Sequence, residues 1–203
     1  NIHVRDLGHT LIFGPTGAGK STLLAFLAAQ FRRYENARIF AFDKGMSMFP
    51  LCLGAGGAHF NIGQAGQLAF APLQRIAESE TECAWAEEWI ASLMELQQFT
   101  VMPSHRNAIH TAMQSLATNP EHLRTLTNFY HVVQDREIKE AIQHYSVQGA
   151  MGRLLDADAD NLNLSRFMVF EIEDLMNLGD KNLIPVLLYL FHRIEKALTG
   201  QPV

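Results

Sequence analysis

Cysteine is scarce in this chain: Cys52 and Cys83 are the two in 203 residues, with neither C-x-x-C spacing nor the density of a secreted scaffold. That excludes a disulfide framework and predicts two ordinary buried thiols in a reducing compartment. No run of about 18 apolar residues occurs, and no basic stretch followed by an apolar one opens the chain. The expectation is a chain that neither spans a membrane nor carries an export signal. A basic excess is also missing, with 16 Lys and Arg against 21 Asp and Glu and a net charge of −5. No overall positive field draws in nucleic acid or an anionic membrane, so any such contact is local or belongs to an assembly. Metal-ligand spacing is scarce too: among nine histidines, His105 and His110 lie five apart and no other pair gives convincing metal spacing with carboxylates, which argues against zinc. There is no internal repeat. Methionine is absent from position 1, where Asn1 stands, and the chain ends on TGQPV after an expected helix; it reads as a piece of a longer protein.

What remains is 48% hydrophobic and 18% charged, enough for one well-buried globular core with a satellite region. The most informative stretch is GPTGAGKST, Gly14 to Thr22, which matches G-x-x-x-x-G-K-[ST] at Gly14, Gly19, Lys20 and Ser21. Glycines let the backbone turn its N–H groups inward around phosphate, and a helix starting near Lys20 aims its positive dipole end at the same place. Lys20 is expected to reach the β- and γ-phosphates of a nucleoside triphosphate, and the Ser21 hydroxyl to ligate Mg²⁺. The nucleotide-binding candidates are Gly14, Pro15, Thr16, Gly17, Ala18, Gly19, Lys20, Ser21 and Thr22.

The surroundings read as α/β. Thr10–Phe13 is a short apolar run before the loop, an apolar helix through Leu23, Leu24, Phe26, Leu27 and Phe31 follows, and Ile39–Phe42 is a second apolar run. Together they predict a βαβ unit with strands buried on both faces. Glycine-rich sequence from Leu51 to Pro72 predicts short strands at His59–Ile62 and Leu68–Phe70. From Gln74 to about Asp160 the composition becomes helical, with helices expected at about 79–99, 104–116, from Pro120 on, and 136–155. Strand character returns at Phe167–Phe170, and a last helix is expected over 182–198. The implied division is a core over 1–74, an all-helical insertion over 75–165, and a second core piece over 166–203.

Hydrolysis of a triphosphate needs an acidic element at a strand end as well. Phe167–Glu173 is the best internal match for a magnesium-supporting strand, but it ends in Glu-Ile-Glu. Asp43, at the end of the second expected strand, has two readings. With Lys44 it faces the γ-phosphate region as a catalytic residue, because ligands of open α/β sheets bind at strand carboxyl ends; or Asp-Lys-Gly is turn chemistry.

The stretch GHTLIFGPTGAGKSTLLAFLAAQFRRY, then ARIFAFDKGMS, FAPL, a helical insertion and FEIEDLM, resembles the VirB and TrbE class of conjugative-transfer and type IV secretion ATPases, and within it the TrbE branch. The resemblance implies a P-loop NTPase with a RecA-like parallel sheet and an all-helical insertion. It implies ATP and Mg²⁺ as cofactors, Gly14, Gly17, Gly19, Lys20, Ser21 and Thr22 as nucleotide contacts, and Asp43 near the active site. It further implies hexamers at the cytoplasmic face of the bacterial inner membrane, working with other secretion-channel components in pilus biogenesis or substrate transfer. The family's magnesium-binding Asp-Glu strand should follow TGQPV, with Glu171–Asp174 before it, so weak turnover is expected of this chain alone. Two alternatives stand beside the motor: a docking module in which ATP is structural, and a DNA translocase. The translocase needs a basic track, for which Arg32, Arg33, Arg38, Arg75, Arg106 and Lys139 are too scattered in sequence.

Overall fold

The computed structural model describes residues 10–64 and 66–198. Asn1, Gly8, His9 and TGQPV, which carry some of the expectations above, lie outside them. The chain divides into two compact units, one of residues 1–60, 164–172 and 194–203, the other of 61–163 and 173–193.

The first unit holds α1 (Lys20–Phe31), β1 (Ile39–Asp43), α2 (Phe49–Gly54), β2, which starts at Ala58 and runs to Asn61, and β3 (Phe167–Glu171). The strand order is β1-β3-β2, and β1 runs parallel to β3 with Ile39 opposite Phe167 and Asp43 opposite Glu171. All five residues of the central strand β3 are buried. Side chains alternate across a strand, so an unbroken apolar run must find cover on both faces. On one face Ile39, Ala41, Phe167 and Val169 pack against Ala25 and Ala28 of α1 and Met48, Leu51 and Cys52 around α2. On the other, Phe170 stacks between Phe42 and Phe60, with ring centroids 5.3 and 6.0 Å away.

The expected strand at Thr10–Phe13 does not form. These residues pair with no strand among those described, and Leu11 and Phe13 are 80% and 85% exposed. A strand exists only by virtue of a neighbour's ladder, and Thr10–Phe13 joins neither outer edge of the β1-β3-β2 sheet. α1 is accordingly apolar on every side yet buries only Ala28. Leu68–Phe70, also expected as a strand, is a buried irregular segment whose Phe70 exchanges backbone hydrogen bonds with Leu154 and Ala157.

The second unit is helical: α3 (Glu80–Leu96), α4 (Pro103–Ala117), a 3₁₀ turn at Glu121–Leu123, α5 (Leu126–Val132), α6 (Arg136–Gln143), α7 (Gly152–Leu155), α8 (Glu173–Asn177) and most of α9 (Asp180–Leu198). Ser79, Thr125 and Asp135 start α3, α5 and α6 by accepting from the N–H three residues on, the standard polar cap. The single helix expected over 136–155 breaks in two. Gly149 and Gly152 fold back so tightly that a Cβ on Gly152 would sit 2.1 Å from the Ser146 carbonyl oxygen.

Pro185 lies inside α9 and has no N–H to give the Lys181 carbonyl four residues back. The buried Tyr145 supplies the missing donor, its hydroxyl reaching that oxygen at 2.9 Å, while Trp89 Nε1–H donates to the Pro185 carbonyl at 3.1 Å. The helix defect thereby becomes a fixed joint between α9, α3 and the segment after α6.

Candidate functional site: a phosphate loop at the start of α1

Gly17 and Gly19 have φ of +82° and +78°, left-handed values that cost other residues about 1–2 kcal/mol. They turn the loop tightly, and Ala18 N–H closes it on the Pro15 carbonyl at 3.2 Å. The N-cap of α1 is Gly19, with no side-chain cap. The ladder of the helix opens with Leu23 N–H on the Gly19 carbonyl at 2.9 Å, so the N–H groups of Lys20, Ser21 and Thr22 precede it. These three residues, with Thr16, Gly17 and Gly19, line a cavity of about 340 Å³. Unsatisfied amides at a positive dipole end, beside a cation, fit a polyphosphate. Lys20 Nζ donates to the Gly14 and Pro15 carbonyls at 2.8 and 2.7 Å, which folds it over the loop it belongs to.

The fit extends to magnesium only in part. The exposed Ser21 hydroxyl lines the cavity, as a ligand of a nucleotide-bound cation should, but among the described residues no group of three or more His, Cys, Asp or Glu is gathered to hold a metal.

Asp43 and Glu171 end neighbouring strands side by side, and both are buried. Their carboxylates grip one loop. Asp43 accepts from Ser47 Oγ at 2.5 Å and Met48 N–H at 2.7 Å; Glu171 accepts from Gly45 N–H at 3.2 Å and Met46 N–H at 2.6 Å. These hydrogen bonds tie Asp43 to the turn that follows it. The loop they hold is strained, since Met46 sits at φ +60° without being glycine, and it carries the exposed Lys44. Glu171 as a loop anchor is a role the sequence did not disclose, because an acid at a strand end reads the same whether it faces ligand or backbone. The closing acid of the stretch, Asp174, accepts from Asn61 Nδ2 at 2.9 Å.

No family model matches the chain. It is 56% identical over 207 residues to a probable conjugal transfer protein TrbE of Sinorhizobium fredii, and 54% identical over 209 residues to the conjugal transfer protein TrbE of Rhizobium radiobacter, in both cases along its whole length. This chain is a segment of the TrbE and VirB4 family. The TrbE-like segment spans 31% and 25% of those two relatives. It is 27% identical over 207 residues to the type IV secretion system protein virB4 of Bartonella henselae, of which it spans 26%. Its fold matches the structure of VirB4 of Thermoanaerobacter pseudethanolicus with a TM-score of 0.67 at 16% identity, over 91% of this chain and 56% of that one.

Proposed function

We propose that this TrbE-like segment is the ATP-capturing part of a conjugative-transfer or type IV secretion motor ATPase. The observation that carries the reading is the loop at Gly14–Thr22, with two left-handed glycines, free first-turn amides and Lys20 around one cavity. In this reading Lys20 exchanges its carbonyl partners for the β- and γ-phosphates, the loop amides hold the remaining oxygens, and Ser21 is a ligand of Mg²⁺. The magnesium ion would supply charge neutralisation on the transferred phosphoryl group. The turn 44–48, gripped by Asp43 and Glu171, holds Lys44 at the strand ends, and Asp43 acts on catalysis through that turn. The surrounding architecture is a RecA-like core, 1–74 and 166–203, interrupted by a helical insertion over 75–165. The full-length protein works as a hexamer at the cytoplasmic face of the inner membrane with other channel components.

Titration with Mg-ATP by calorimetry, with Lys20→Ala as control, tests the reading. Binding by the parent that Lys20→Ala abolishes is expected; no binding by the parent, or equal binding by both, overturns it. Turnover by the segment alone is expected to be weak, and ordinary ATPase rates abolished by Lys20→Ala would contradict that. The docking-module alternative draws on the engagement of Asp43 and Glu171 with backbone; normal transfer by full-length protein carrying Lys20→Ala would favour it over the motor.

A further inference from the structure

Arg32 and Arg166 are far apart in sequence, yet both line one cavity of about 230 Å³ at the far end of α1 from the phosphate loop. The 12 residues of α1 put about 18 Å between the two places. Arg32 stands at the C-cap of α1, and Arg166 just before β3. Each spends one N–H on a backbone carbonyl: Arg32 Nη2 on Ala55, the C-cap of α2, at 2.6 Å, and Arg166 Nη2 on Tyr34, in the turn after α1, at 3.0 Å. The Arg32 bond answers the negative end of α2, and each guanidinium has further N–H groups.

Three arginines of the chain pair with acids, Arg75 with Glu78, Arg106 with Glu88 and Arg193 with Asp160. Neither Arg32 nor Arg166 pairs with a carboxylate among the described residues. The cavity also stays open at its glycine, since Gly56 (φ +66°) has nothing within 4 Å of where a Cβ would stand. Two planar, permanently charged forks with spare donors around one small cavity match the oxygens of a tetrahedral dianion.

We propose that the Arg32–Arg166 cavity is a second anion site, which takes a phosphate-class group independently of the nucleotide loop. Free phosphate, a phosphomonoester and a phospholipid headgroup share the chemistry it recognises. The site rests on these arginines alone, so it stands or falls separately from ATP binding at Lys20.

The test is a titration of inorganic phosphate into the chain carrying Lys20→Ala, which removes the loop's contribution, read by calorimetry and by the Nε–H resonances of the arginines. Saturable binding is expected, weakened about tenfold or more by Arg32→Gln or Arg166→Gln and only a few-fold by Arg166→Lys, which keeps the charge. Circular dichroism of each variant reports whether the fold is retained. No saturable binding in the Lys20→Ala chain overturns the proposal, as does binding that Arg32→Gln and Arg166→Gln leave unchanged in folded protein. Phosphatidylglycerol vesicles form the second arm. Co-sedimentation lost in the same arginine variants assigns the anion to a headgroup; no co-sedimentation beside intact phosphate binding assigns it to a small phosphate compound.

Discussion

Replacing Glu171 with alanine strips the loop 44–48 of one of its two anchors, and the size of the effect follows from what the carboxylate holds. Glu171 is 2% exposed and accepts from two backbone N–H groups, of Gly45 and Met46. Hydrogen bonds to a charged group contribute about 1.5–3 kcal/mol each, and an unsatisfied buried donor carries a desolvation cost of about 1–3 kcal/mol. The loop can relax, because Gly45 and Met46 are exposed and water can reach their amides once the grip is lost. The expected loss in Glu171→Ala is therefore about 3 kcal/mol, near the bottom of the summed range. Part of what the carboxylate does is hold Met46 at φ +60°, a conformation that costs about 1–2 kcal/mol. Met46→Gly removes that strain, so it should stabilise the parent by up to about 1 kcal/mol; because Glu171→Ala lets the strain relax in the parent, the loss it causes should be larger by a similar amount in the Met46→Gly background. Urea unfolding of the parent, both single variants and the double variant measures the cycle. A loss below about 1 kcal/mol for Glu171→Ala, or a coupling of zero, would refute the account of the carboxylate as the clamp on a strained turn.

Gly19→Ala meets no steric obstacle within 4 Å but must hold φ +78°, so a loss of about 1–2 kcal/mol in stability or an equivalent fall in ATP affinity is expected, measured by thermal melts with and without Mg-ATP. Gly152→Ala drives a Cβ to 2.1 Å from the Ser146 carbonyl oxygen and is expected to cost more than about 2 kcal/mol, with urea melts as the check. Burial, with help from the neighbouring Glu87, pushes the Cys83 thiol up to about 11 from 9.0. Its thiolate fraction at pH 8 is about a hundredfold below that of an ordinary thiol, and Ellman's reagent should modify it correspondingly slowly in the folded chain. The sign for stability is that of a raised acid: the contribution of the protonated thiol is complete below about pH 9 and fades as pH rises through about 11, which alkaline melts of the parent and Cys83→Ala compare.

The tight turn at Gly14–Thr22 was legible because its geometry is local. Glycines at fixed spacing, a lysine and a hydroxyl define it within nine residues, and no distant partner is needed to shape it. β1, β3 and the long helices were legible for a related reason, since unbroken apolar runs and helical spacing survive without knowledge of what lies opposite. Thr10–Phe13 has the same apolar signature and stays unpaired, because a strand depends on an edge that the run itself cannot supply. The break between α6 and α7 was hidden in a backbone approach at Gly149 and Gly152 that spacing does not encode. The two roles of Asp43 could not be separated in the sequence, because the same Asp-Lys-Gly serves a turn or a ligand. The arginines that looked scattered include one, Arg32, that shares a cavity with Arg166 only once β1 and β3 lie side by side.

The joint around Pro185 has an evolutionary corollary. Proline at that position removes a donor and the Tyr145 hydroxyl replaces it, while Gln97 Nε2 donates to the same hydroxyl at 3.1 Å. The three positions thus form one hydrogen-bonded unit. A relative that carries an ordinary helix former at the position of Pro185 satisfies the Lys181 carbonyl within its own helix and no longer has a use for a hydroxyl at the position of Tyr145, where phenylalanine then becomes the better-packed residue. Covariation of proline with tyrosine across the family, with glutamine following tyrosine, is the signature such a shared repair leaves in descent.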